Sequence, residues 1–267
     1  MSNQGLPLVA GPSSPRSMSE SKHGAGHGSG ETALPSVDVL EHGATKDGQP
    51  QVLSRRLFMQ LLVIEDRSGP GSVAPGRVRE SIERRGVGVV LYEDVNDPWS
   101  FGVLSWGEDP AVFTDVVRPA VLEQHRNFRL RSDMTMLGRT YSTGYEQDLP
   151  YWLLNRPIET VTNPAWPWAI WYPLRRSGAF AKLEPREQGA ILREHGTIGR
   201  AYGAQDLAHD IRLACHGLDT HDNDFVIGLI GATLHPLSHV VQSMRKTRQT
   251  SEFLTQLGPF FIGRVMR

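Results

Sequence analysis

The chain has 267 residues, 28 of them lysine or arginine against 29 aspartate or glutamate, and its net charge of −1 points to neither nucleic acid nor an anionic membrane surface as the main partner. Cys215 is the only cysteine, which excludes an intrachain disulfide and suits a reducing, cytoplasmic setting. No apolar run approaches the ~18 residues of a membrane span, and the N-terminus lacks the apolar stretch of a secretory signal, so a soluble protein is expected.

Residues 1–50 are rich in Gly, Ser, Pro and His ("GPSSPRSMSESKHGAGHGSGE") and poor in large apolar side chains. Such a segment cannot bury enough surface to offset its ordering entropy, so it reads as a disordered tail. His23 and His27 within it offer at most weak metal binding. Its glycines have no preceding strand and no following helix, the context a phosphate-binding loop needs.

The pattern changes at Arg55. In the first half, residues 51–148, "RRLFMQLLVIE" reads as a buried strand, and "APGRVRESIERRG" as a helix with Pro75 in its first turn and Gly86 at its end. "VGVVLYED" is a strand, "VNDPW" a turn and "SFGVLSW" a third strand. "DPAVFTDVVRPAVL" is a second helix and "TMLGRTYSTGY" a fourth strand. The order is β-α-β-β-α-β, the ferredoxin-like arrangement. The Pro- and Asn-containing segment "EQDLPYWLLNRPIETVTNPAWP" reads as a loop, so residues 149–166 are assigned as a linker.

The same order recurs over residues 167–267. "WAIWYPL" is a strand, "EPREQGAILREHGTIGRAYG" a helix, "HDIRLACHGL" and "DNDFVIGLIG" strands, "HPLSHVVQSMRKT" a helix and "GPFFIGRVM" the last strand. "EDVNDPWSFGVLSWGEDPAVFTDVV" in the first half and "GLDTHDNDFVIGLIGATLHPLSHVV" in the second share an acidic turn, an apolar strand and an amphipathic helix, as an internal repeat would. The expected fold is α+β: two ferredoxin-like units forming a paired antiparallel sheet or barrel, with helices outside and a cavity between sheet and helices.

Within the helix around "ILREHGTIGR", Ile191, Leu192, His195, Ile198 and Gly199 fall on one side. An imidazole on an apolar face is either a packed residue satisfied by a carbonyl or a ligand. Spacing alone does not separate the two.

Three stretches, "WYPLRRSGAFAKLEPREQGAILREHGTIGRAYG", "GLDTHDNDFVIGLIG" and "SMRKTRQTSEFLTQLGPFFIGR", resemble the second half of the chlorite dismutase family, which includes the haem-forming coproheme decarboxylases. The resemblance is literal from Trp168 to Arg264 and architectural from Arg55 to Tyr145. It implies paired ferredoxin-like halves assembled as a homopentamer. It also implies haem b or iron coproporphyrin III (coproheme) in the C-terminal half, with His195 as the axial iron ligand. A neutral imidazole on a rigid helix holds iron's fifth position and leaves the sixth free for hydrogen peroxide.

By the same resemblance Tyr172, in "WYPLRR", is the redox-active residue. Peroxide oxidises the iron, the phenol becomes a radical, and the radical takes hydrogen from a propionate, which then loses carbon dioxide. Arg176, Arg245 and Thr250 fall at positions that meet the propionates, with Arg156 and Tyr145 as further cofactor-binding candidates. The sequence departs from the chlorite-decomposing branch where that branch carries a distal arginine. Counting forward from His195 reaches Ala208 and counting back from "GLD" reaches Asp210, with Arg212 close by. The implied activity is therefore peroxide-dependent decarboxylation of coproheme to haem b. The alternatives are a chlorite-decomposing or peroxidase-type haem enzyme and a non-catalytic haem-binding protein.

Overall fold

In the first half, β3 (Phe58–Asp66) turns Met59, Leu61 and Val63 to one side and Phe58, Leu62 and Ile64 to the other, and both sides are covered. A strand covered on both faces reads as a nearly unbroken apolar run, which is what "FMQLLVI" is. Helix α1 (Ala74–Glu83) opens with Pro75 in its first turn and buries Val78 and Ile82, four residues apart, on the outer side of the sheet. Strands β4 (Gly88–Asp94) and β5 (Ser100–Gly107) follow, then a wide π-helical turn (Phe113–Val117) leading into α2 (Arg118–Leu122), then β6 (Phe128–Leu130) and β7 (Met136–Thr140). The computed structural model describes residues 34–69, 71–124 and 126–266.

The second half contains β8 (Trp168–Arg176), a short α4 (Gly178–Ala181), the long α5 (Pro185–Ala204), β9 (His209–Ala214), β10 (Phe225–Gly231), α6 (Leu234–Met244), α7 (Arg248–Phe253), β11 (Leu254–Leu257) and β12 (Phe261–Val265). Each half arranges its four main strands as fourth, first, third, second: β7-β3-β5-β4 and β12-β8-β10-β9. All pairings are antiparallel, and the halves join at two seams, β4 with β12 and β7 with β9. The eight strands therefore close on themselves into a barrel, with β6 and β11 added outside the ring. The expected fold class is the observed one.

Trp171, Phe261, Tyr92, Met59 and Leu61 fill the barrel interior. Two glycines give the largest rings room. A Cβ on Gly228 would lie 2.6 Å from the Trp171 indole, and one on Gly102 would lie 2.6 Å from the Phe261 ring.

Two expectations are corrected. The linker assigned to 149–166 contains a π-helical turn (Tyr151–Asn155) and helix α3 (Arg156–Thr162). Its Leu149, Leu153, Leu154 and Val161 are buried in the barrel's own core, so this segment plugs one end of the barrel. Pro157 stands in the first turn of α3, where no backbone donor is needed, so it opens the helix without breaking it.

The tail boundary also moves. Residues 39–267 form one compact unit, and β1 (Glu41–His42) pairs with β2 (Val52–Leu53) inside it. The buried Glu41 carboxylate accepts from the Ser142 amide at 2.8 Å and pairs with Arg139 at 3.2 Å and Arg56 at 3.3 Å. Gln51 ties the same segment down, donating to the carbonyls of Ala44 and Glu146 and accepting from the Leu149 amide. Composition concealed this because single polar side chains, not apolar surface, hold the segment. His23, His27 and the rest of 1–33 lie outside the described residues.

Glu41→Ala would leave two guanidinium groups without their shared partner. The expected loss is about 1–3 kcal/mol of stability, read as a lower denaturant midpoint at unchanged slope. An unchanged midpoint would show that the ribbon contributes nothing.

Candidate functional site

The outer face of the second half-sheet builds the site. Alternation along β8 puts Ala169 and Trp171 into the barrel and Ile170, Tyr172 and Leu174 outward. On β9, Ile211 and Leu213 face inward, so Asp210 and Arg212 face out. Register aligns Arg212, Ile227 and Tyr172 across three neighbouring strands. Helix α5 lies on this side, and Ile191 is its only buried residue. His195, Ile198 and Tyr202 on α5, with Phe225, Ile227 and Phe260 from the sheet side, stay half-buried. Twenty residues of helix with one buried side chain leave an apolar face incompletely covered, opposite a sheet face that buries Ile170, Tyr172, Leu174 and Leu229 and leaves Phe225 and Ile227 half-buried.

His195 Nδ1 lies 3.3 Å from Thr247 Oγ1, which itself donates to the Met244 carbonyl at 2.8 Å. A hydroxyl has one proton. Committed to a carbonyl, it can only accept from the ring, which fixes the Nδ1–H tautomer and leaves the Nε2 lone pair available. Burial, and then the charges of Arg176 and Arg212, lower the His195 pKa and hold the ring neutral. Thr250 Oγ1 joins this chain at 3.3 Å from Thr247 Oγ1.

Tyr172 is 7% exposed and packs on Phe260 with ring centroids 4.8 Å apart. Burial raises its pKa, as does the charge of Asp210, while Arg245 opposes them, so the phenol keeps its proton. Arg176 stacks its guanidinium 4.4 Å from the centre of the Phe180 ring and 5.0 Å from that of Phe225. Its Nε is buried and has no hydrogen-bond partner among the described residues. Burial lowers its pKa, with Tyr141 and Asp224 acting against that.

Arg156 donates to the Asp210 carbonyl at 2.8 Å and pairs with its carboxylate at 3.2 Å; Arg212 Nε meets the same carboxylate at 3.1 Å. Burial would raise the Asp210 pKa, but these two cations overcome it and hold the carboxyl below its usual range. A small cleft between β7, β9 and α3, lined by Tyr141, Glu146, Trp152, Arg156 and Arg212, forms the polar end of the site.

Of the residues expected from sequence, the structure brings Tyr172, Arg176 and His195 to one face. Arg156 joins them through Asp210, Thr250 through Thr247, and Arg245 through its charge on Tyr172. Tyr145 is not brought in: it stands 79% exposed in the turn that presents its amide to the Glu146 carboxylate. Of the positions weighed for the distal side, Ala208 is buried against the helices, while Asp210 and Arg212 face the site. Sequence reasoning missed Tyr141 and Thr247. Thr247, within "MRKT", lies two residues past Arg245, but only packing could show that it meets His195.

The arrangement suits a flat apolar ligand with anionic edges and a metal at its centre. Half-covered apolar walls would take its faces, the orphaned Arg176 Nε a carboxylate, and the free His195 Nε2 the metal. Iron porphyrin fits these three features.

The chlorite dismutase family model matches residues 154–266, the segment that carries Arg156, Tyr172, Arg176, His195, Arg245 and Thr250. Solved structures match over 80% of this chain. A haem-binding protein from Thermus thermophilus is 17% identical over 92% of its own length, with a TM-score of 0.59. The chlorite dismutase from Candidatus Nitrospira defluvii matches over 92% of its length at 14% identity. Its TM-score is 0.64 as a tryptophan variant in complex with cyanide and 0.63 in complex with imidazole. No curated protein matches the chain. The barrel thus has the chlorite dismutase fold, and its C-terminal half carries the sequence pattern of the chlorite dismutase family. No helix among the described residues is long and apolar enough to cross a membrane.

Proposed function

We propose that this chain is a haem-dependent oxidoreductase of the chlorite dismutase family that decarboxylates iron coproporphyrin to haem b with hydrogen peroxide, working as a homo-oligomer. The observation that carries it is Tyr172, a buried, protonated phenol with no hydrogen-bond partner among the described residues, on the face that also holds His195 and Arg176. Bound iron porphyrin supplies the two-electron reaction with peroxide. His195 would hold the metal through Nε2, with Thr247 fixing its tautomer. Arg176 and Arg245 bind propionates as charge-assisted pairs. Tyr172 would present its Oη–H to a propionate; because burial keeps that proton in place, electron and proton would leave the phenol together towards the peroxide-derived oxidant, and one hydrogen taken from the propionate would restore the phenol. The propionate loses carbon dioxide and one hydrogen and becomes a vinyl group, and the two electrons released reduce one peroxide to two waters.

Chlorite decomposition is the second reading, and Arg212 favours it. Residue counting reaches Ala208 or Asp210 with Arg212 close by, and Arg212 faces the site in the same strand row as Tyr172. Mixing the purified protein with iron coproporphyrin and peroxide, and separately loading it with haem and adding chlorite, distinguishes the readings. Two successive losses of carbon dioxide by mass support the first, oxygen evolution supports the second, and binding without conversion overturns both.

Thr247→Val keeps the shape and removes the acceptor for His195 Nδ1–H. Affinity for iron porphyrin is expected to fall about 10- to 100-fold, with a weaker iron–histidine stretch in the ferrous resonance Raman spectrum. An unshifted stretch would show that Thr247 does not orient the ring.

A further inference from the structure

We propose that His235 and His239 on α6 form a binding site for one divalent transition-metal ion of the copper and zinc class, separate from the site described above. The two are one helical turn apart and leave the helix on the same exposed side. Their ring centroids lie 5.9 Å apart with the planes at 44°. A metal–nitrogen bond of about 2.1 Å plus a ring radius of about 1.1 Å puts a bound ion about 3.2 Å from each centroid. Two such arms span 5.9 Å at an obtuse angle, which four-coordinate ions of borderline softness accept.

His239 is also held from behind. Tyr202 Oη on α5 hydrogen-bonds His239 Nδ1 and lies 3.1 Å from Ser243 Oγ. With the phenol donating to Ser243, it accepts from Nδ1–H, and Nε2 turns its lone pair to solvent. This is the outer hydrogen bond that metal-binding imidazoles use to fix their tautomer and orientation. His235 has no hydrogen-bond or ion-pair partner among the described residues, so binding an ion there breaks nothing. No group of three or more His, Cys, Asp or Glu side chains suited to a metal occurs among the described residues. The ion's remaining positions would therefore be filled by water. Leu237 and Val240, on the opposite side of α6, pack against the sheet and keep the helix fixed. Through Tyr202 the bound ion would also brace α5 against α6.

The full-length chain and its His235→Ala variant are titrated with Cu²⁺, the divalent ion such nitrogen sites hold most tightly. His23, His27 and His195 are present in both proteins, so their binding cancels in the comparison. Calorimetry is expected to show one more bound equivalent in the unaltered chain. Electron paramagnetic resonance of that equivalent should show coupling to two nitrogens. Equal stoichiometry in the two proteins would overturn the site. Tyr202→Phe keeps both imidazoles and removes the bond behind His239; its Cu²⁺ affinity is expected to fall about tenfold or more. Unchanged affinity there would remove Tyr202 from the proposal. His235 is a surface side chain, so its alanine variant retains the fold, and neither outcome depends on porphyrin binding.

Discussion

Tyr172→Phe is expected to bind iron coproporphyrin within tenfold of the unaltered protein and to lose decarboxylation by more than about 1,000-fold. The two effects separate because they draw on different properties of the phenol. In binding it contributes one hydrogen bond, about 1 kcal/mol. Phenylalanine keeps the ring and its packing on Phe260, so β8 should hold its register with β10 and β12. In the reaction the phenol contributes an electron and proton that a phenyl ring cannot supply, and a group that acts only in the transition state takes its full effect on kcat. Tyr141 is another phenol at this site, and it follows β7, three strands from β8. Tyr141→Phe is therefore the control, expected to retain most of the activity. Rapid-mixing absorption with product masses would show porphyrin bleaching without haem b in Tyr172→Phe. Haem b at near-normal rate would return Tyr172 to the packed residues of its strand.

His195→Ala should abolish the five-coordinate ferrous spectrum, with a loss of iron porphyrin affinity beyond the about 10- to 100-fold expected when an outer hydrogen-bond partner is removed. No other imidazole on α5 can take over, since His195 is the only histidine of that helix. Stability should change little: the position is half-buried, alanine favours helix, and the hydrogen bond to Thr247 is long at 3.3 Å. Retained ferrous absorption in the variant would move the ligand to another side chain, His209 or His216 first. The structure argues against both. His209 stacks on Trp166 with centroids 3.6 Å apart and pairs with Asp206 at 2.8 Å, and His216 lies beside Asp224 and Phe225. Supplying imidazole to His195→Ala should partly restore the spectrum, because free imidazole can take the volume the side chain vacates.

Local physical chemistry wrote the elements into the sequence. Helix α5 was legible almost to the residue because Pro185 opens it and "EPREQGAILREHGTIGRAYG" keeps a helical period throughout. The two β-α-β-β-α-β runs were legible because each strand is a short apolar run closed by Gly, Pro, Asn or Asp. The residues that match the family lie almost wholly in the second half, where the motifs "WYPLRR" and "HG" sit on regular elements. Tertiary structure alone decided the rest. The barrel closes through seams between strands far apart in sequence, β4 with β12 and β7 with β9, and pairing between distant edges leaves no mark in a local pattern. The 149–166 plug was hidden because Pro157 resembles loop punctuation until its place in the first turn of α3 shows it harmless. Glu41 was hidden because a single carboxylate shared by Arg56 and Arg139 orders a segment whose composition has almost nothing to bury. Arg212 and Thr247 entered the site only through a strand's facing and a helix–helix contact. The sequence thus determined which side chains are the candidates, and the fold decided which of them meet, because meeting depends on register and packing across the whole chain.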